Sequence, residues 1–241
     1  MANFFELYDI NNDVYAPTGD PKVGYPQLCI RTNRTAQRSD LEAVVKIADD
    51  AANQFPPEDK EGRKKAVFEV LTQAFGGGGF GHSWIIFFHS NKKGDCTTYG
   101  FHEGFGFVKN GTASNQNDSP ERKFHLQRCV PLTDPNKQPD MLEKTVIHEL
   151  IQNSLTIAEL MGMEVDTPEN GAYTPISNCS WFAGQVWNYA TDENLVFEQQ
   201  FDGKAHADDW GMDFLANVTS IADPGMVAES LAAPKIAGNR A

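Results

Sequence analysis

The chain has 241 residues, 40% of them hydrophobic and 11% aromatic, which is enough apolar mass for one sizeable core and one domain over 1–241. Its 33 acidic against 20 basic residues leave a formal charge of −13, which opposes attraction to nucleic acid and to anionic lipid. No apolar run approaches the ~18 residues a membrane span needs, and the opening MANFFELYDINND lacks a basic region followed by a long apolar one, so the expectation is a protein without membrane insertion, cytoplasmic in its producing cell.

Residues 1–38 are polar and rich in Asn, Gly, Pro and Thr, and read as an N-terminal arm, extended or in short strands. A helical segment over 39–75 follows. Ser39 and Asp40 precede Leu41, Val44, Val45, Ala48 and Ala52 at helical spacing, and after Pro56-Pro57 the pattern returns through Ala66, Val67, Val70, Leu71 and Phe75. The glycines from Gly76 stop that helix.

The stretch 76–190 is the expected catalytic core. Ser83 to His89 is apolar on both faces, as a covered strand is, and His82 enters it directly. SNKKGD supplies a turn and CTTYGFH the returning strand. Gly104 to Pro120 reads as a mobile loop, KFHLQRCVPL as a third strand, and 139–162 as the longest helix, with Leu142, Val146, Leu150, Ile151 and Leu155 on one stripe. A C-terminal segment, 191–241, completes the chain.

The four cysteines, Cys29, Cys96, Cys129 and Cys179, form no C-x-x-C pair, so neither a zinc ribbon nor a disulfide framework is expected. The glycine run stands between a helix and a strand, the reverse of a dinucleotide fingerprint, and lacks the Gly-Lys-Ser/Thr of a phosphate loop. His148-Glu149 opens a zincin-like HELIQ, but Gln152 occupies the second ligand position, so no metal is expected there.

The remaining constellation is PISNCSWFAGQVWNYA. Pro175, Ser177 and Asn178 read as a helix start, Phe182, Val186 and Tyr189 continue as an apolar stripe, and Cys179 falls in the first turn. There the unpaired N–H groups and the macrodipole favour a thiolate. A thiolate nucleophile needs a histidine to carry protons and a third polar group to orient it, and His82, on a buried strand after small residues, is the candidate base. A hairpin centred on Lys92-Lys93 sets Glu103 opposite His82, and a shift of one residue sets His102 there instead.

Asn178-Cys179-Ser180-Trp181-Phe182 resembles the Asn-Cys-x-x-Phe helix start of the lecithin retinol acyltransferase group, and Gly81-His82 resembles that group's histidine strand. Both belong to the circularly permuted branch of the papain-like superfamily, which includes NlpC-type cell-wall peptidases and in which the histidine precedes the cysteine, as here. The resemblance implies an α+β fold with a permuted papain-like core, an antiparallel sheet packed on the helix that carries the nucleophile, and extra N-terminal helices. It further implies Cys179 as nucleophile, His82 as base and an imidazole, His102, as third member with Glu103 as the alternative. No cofactor or metal is required.

The activity so implied is hydrolysis of an amide through an acyl-enzyme, with peptidoglycan peptides as substrate. A chain without a signal suggests an antibacterial effector of the type VI secretion kind, delivered to the target-cell periplasm, with secretion-machinery and immunity-protein partners. Thioesterase and protein-directed protease or deamidase are alternatives. A noncatalytic binding module, in which His82 and Cys179 are core residues and the 104–119 loop binds a partner, is the alternative of another class.

Overall fold

The computed structural model describes residues 14–75, 80–191 and 193–233. Its centre is a five-stranded antiparallel sheet built from β1 (Gln27–Thr32), β2 (Ser83–Phe88), β3 (Cys96–His102), β4 (Gly106–Lys109) and β5 (Leu126–Pro131), in the order β4-β3-β2-β1-β5. The fold class is α+β.

Strand β1 bears out the short-strand half of the reading of 1–38, but it lies inside the sheet and not in an arm. QLCIRT lies between β2 and β5, with Cys29 opposite Ile86 on one side and Cys129 on the other, and all six residues are buried. Polar residues hid it. Arg31 is sunk between aromatic rings, its guanidinium carbon 4.3 Å from the Phe124 centroid and 5.6 Å from that of Phe88. Its N–H groups donate to Gln127 Oε1, Pro120 O and Ala16 O. Burial pulls its pKa down to about 9, against the smaller opposing attraction of Cys96 and Glu121.

Cys29 and Cys129 are joined as a disulfide, which overturns the expectation of none. They are 100 residues apart in sequence, and only the pairing of β1 with β5 sets them face to face. The mobile loop expected over 104–120 is also corrected. It contains β4, whose Phe107 pairs with Phe101 and whose Gly106 pairs with His102 at the sheet edge.

The expected helices lie on this frame. Helix α1 (Leu41–Ala52) starts where Asp40 accepts the Ala43 N–H, and α2 (Lys60–Phe75) ends at the last residue before the glycines. Gly76–Gly79 lie outside the described residues. The helix expected over 139–162 is three consecutive pieces, α3 (Pro139–Leu142), a π-helical turn (Glu143–Ile147) and α4 (His148–Met161), ending on Gly162 at φ +73°. Helix α5 (Cys179–Thr191) lays Phe182, Ala183, Val186 and Trp187 against Ile85, Phe87, Tyr99 and Phe101 in the principal core, whereas Tyr189 is exposed.

The C-terminal segment closes the structure through β6 (Glu198–Gln200), α6 (Gly203–His206), β7 (Ser220–Ala222) and α7 (Pro224–Ala232). Buried Asp223 caps α7 through Gly225 N and also accepts from Ser39 N, Ser39 Oγ and Gln199 Nε2. One carboxylate thus ties the start of the helical segment to the end of the fold. No helix among the described residues is long and apolar enough to cross a membrane.

Candidate active site

His82 and His102 meet through the β2–β3 register. Ile85 pairs with Tyr99 and Phe88 with Cys96, and extending that register past the end of β2 sets His82 opposite His102. Their ring centroids lie 4.7 Å apart. Glu103, one residue further, is exposed at the turn into β4. The His82 ring also stacks on Trp84, with centroids 5.5 Å apart.

Gly81, which lines the cleft beside His82, also makes room for a buried arginine. Its φ is +95°, and a Cβ there would stand 2.4 Å from Arg34 Cγ. The glycine admits the buried Arg34, which donates to Phe80 O and Gln37 O.

A third group joins the two imidazoles, and it was not anticipated. Asp118 accepts from His82 Nε2 on Oδ1 (2.9 Å) and from His102 Nε2 on Oδ2 (2.8 Å), while Arg122 Nη1 donates to Oδ1 at 2.7 Å. Burial alone would raise the Asp118 pKa, but the imidazoles and their hydrogen bonds outweigh it and hold the carboxyl well below the usual range. Burial pulls His82 down to about 4 against the attraction of Asp118, so at neutral pH the ring is neutral. With an ionised acceptor at Nε2, the proton of His82 sits on Nε2 and the lone pair on Nδ1.

Asp118 had one indirect signal in the sequence. A Cβ on Gly100, in the middle of β3, would fall 1.9 Å from Asp118 Oδ2 and 2.5 Å from His102 Nε2. A glycine interrupting an aromatic, β-branched strand marks the close approach of another group, and here that group is the carboxylate.

Cys179 opens α5 as expected, but its chemistry at rest differs from the expectation. Asn178 Oδ1 accepts from Ser180 N at 2.9 Å and Trp181 N at 3.1 Å, which consumes two of the free N–H groups meant to favour a thiolate. The thiol is 1% exposed. Burial pushes its pKa up, although bonds from Ser83 N, Ser180 Oγ and the Tyr173 hydroxyl oppose this. A depressed cysteine pKa is therefore corrected to a raised one.

The structure nonetheless brings the two motifs together. Cys179 Sγ lies 3.9 Å from Gly81 O and accepts the Ser83 N–H, so the thiol rests on the backbone either side of His82. Ser180 Oγ donates to Ser83 Oγ at 3.2 Å and fixes the helix start on the strand start. The thiol's hydrogen bonds run to these groups and not to the His82 ring.

Beside the cluster opens a cleft of about 430 Å³, lined by His82, His102, Glu103, Arg122 and Tyr173 among others. Tyr173, which lines the cleft, hydrogen-bonds to the Cys179 thiol, and Cys179 is itself buried. His82, His102 and Asp118 offer three ligand-type atoms within 4.8 Å of one another. His148 and Glu149 are exposed on α4 and belong to no such group among the described residues. Comparison of the chain with protein-family models, curated proteins and solved structures finds no match.

Proposed function

We propose that the protein is a cysteine-dependent hydrolase with a permuted papain-like core, cleaving an amide through an acyl-enzyme, with peptidoglycan peptides as the substrate class. The observation that carries the reading is the contact of the Cys179 thiol with the backbone around His82, whose ring Asp118 fixes with the Nδ1 lone pair free.

In this reading the Tyr173 side chain first swings away from the thiol, as the cleft fills. Sγ then attacks the carbonyl carbon and its proton passes to His82 Nδ1, while Asp118 holds the imidazolium so formed. The Cys179 N–H donates to the developing oxyanion. Collapse expels the amine, which takes the proton from Nδ1, and leaves a thioester. Water, deprotonated by the same nitrogen, releases the acid and restores the thiol. His102 bonds the second oxygen of Asp118 and so keeps the carboxylate turned toward His82. The delivered antibacterial role and its immunity partner follow by analogy from the resemblance to cell-wall peptidases and from the opening stretch without a visible signal.

The test is digestion of purified peptidoglycan with mass analysis of the fragments, using the intact protein beside Cys179→Ala and His82→Ala. Both variants should fold and neither should release fragments. A folded, active Cys179→Ala protein would remove the nucleophile from the reading.

A further inference from the structure

The His82, His102 and Asp118 cluster has a second capacity that the hydrolase reading leaves unused. Two imidazole Nε2 atoms from adjacent strands converge on one carboxylate, each at hydrogen-bond distance from a different oxygen, and the three ligand atoms lie within 4.8 Å. We propose that His82, His102 and Asp118 form a binding site for one divalent cation of the zinc class.

Donor chemistry favours that class. Imidazole nitrogen with a single carboxylate suits Zn²⁺ or Co²⁺, whereas Ca²⁺ and Mg²⁺ require mostly oxygen. Ligands at about 2.0–2.2 Å from a tetrahedral ion stand about 3.3 Å apart, so the cluster meets the geometry with side-chain adjustments of ångström scale. The cleft supplies the fourth, open position, to be filled by water. Gly100 leaves room for the carboxylate to turn, because no Cβ stands against it.

Arg122 is the competitor, donating to Asp118 Oδ1 at 2.7 Å and lying 4.7 Å from the Trp84 ring centroid. Its side chain is 28% exposed, so it can withdraw toward solvent as the ion enters. The proton balance is simple. Each imidazole, in its neutral form, moves its proton from Nε2 to Nδ1 and presents the Nε2 lone pair to the metal.

That tautomer change has a consequence which rests on the hydrolase reading. A metal on His82 Nε2 protonates Nδ1, the atom that would accept the thiol proton, so the metal-bound protein is the inactive form. Binding itself does not depend on that reading.

The experiment is calorimetric titration of the full chain, stripped by chelator, with Zn²⁺, together with the absorption spectrum of the Co²⁺-loaded protein. One ion per chain with a Kd of about micromolar or tighter is expected. His102→Gln should weaken binding by at least about tenfold. Cys179→Ala should leave it unchanged. The Co²⁺ spectrum of the unaltered protein should show ligand-field bands without a thiolate charge-transfer band, and this reports the donor set even where His102→Gln folds poorly. Absence of stoichiometric binding overturns the proposal, as does loss of binding in Cys179→Ala accompanied by a thiolate band in the intact protein. A protein that binds one Zn²⁺ at these residues but, stripped of metal by chelator, still hydrolyses nothing would overturn the hydrolase reading and leave this one standing.

Discussion

Gly100 and Asp118 are paired by the absence of a side chain: a Cβ on the glycine would stand 1.9 Å from the carboxylate Oδ2. Asp118 is anchored by both imidazoles and by Arg122, so it cannot yield without breaking a bond to one of them. Gly100→Ala should therefore displace the carboxylate and cost more in turnover than in stability. Steady-state kinetics beside thermal melting checks this. Unchanged turnover with a lowered melting temperature would make Gly100 a packing residue only.

The third position is the second test. In the proposed hydrolase Asp118 orients His82 directly, His102 acts on Asp118, and Glu103 is exposed at the turn. Asp118→Asn should lower turnover by up to ~10⁴-fold with KM little changed, by analogy with orienting carboxylates in triads. His102→Ala should cost less and Glu103→Ala least. Loss of the Asp118 charge should also move the acid limb of the rate profile to lower pH, because that charge raises the His82 pKa. A merely structural aspartate would not move the limb.

The pH dependence follows from His82. Its folded value, about 4, lies below the ordinary 6.5, so between those values the unfolded chain binds the proton more readily. The stability contribution is whole above pH 6.5 and is lost as pH falls from 6.5 toward 4. Denaturant midpoints measured across that window should decline, and His82→Asn should flatten the decline. For the hydrolase, the acid limb of turnover should fall near pH 4, where the base is protonated, rather than near 6.5.

Thiol labelling offers the fourth test. With Cys179 buried and its pKa raised, iodoacetamide should modify it slowly at neutral pH, more slowly than the half-buried Cys96. Tyr173→Ala uncovers the thiol and should speed its labelling, read by peptide mass analysis. Equal rates in the two proteins would mean that Tyr173 does not control access.

What the sequence announced and what it hid divide on physical grounds. The hairpin after His82 and the helix start at Cys179 were legible because their signals are local: a doubly apolar strand, a polar turn, and an Asn-Cys start before an apolar stripe. Which residue opposes His82 depended on one residue of turn length, and the structure sets His102 there. The burial of strand β1 was hidden because Gln27 and Arg31 are polar residues satisfied in the interior, Gln27 by Asp20 O and Arg31 by Gln127 and Pro120 far along the chain. Asp118 was hidden for the same reason, since a carboxylate in an Asn- and Ser-rich stretch looks like any turn residue until two strands bring histidines to it. The raised thiol pKa also depends on tertiary burial, which a helix start alone does not reveal.

The Cys29–Cys129 bond makes a covalent ring of the chain between them, and His82, His102 and Asp118 all ride on that ring while Cys179 approaches from outside it. A protease nick in the 110–117 stretch would leave a chain of unchanged apparent size that falls into two pieces only on reduction. A nick between Leu132 and Tyr173 would instead release the ring, with its imidazoles and carboxylate, from a separate polypeptide bearing the thiol. The molecule can thus be divided into two halves, each holding one side of the chemistry, and mixing them asks whether α5 finds the sheet without a peptide link.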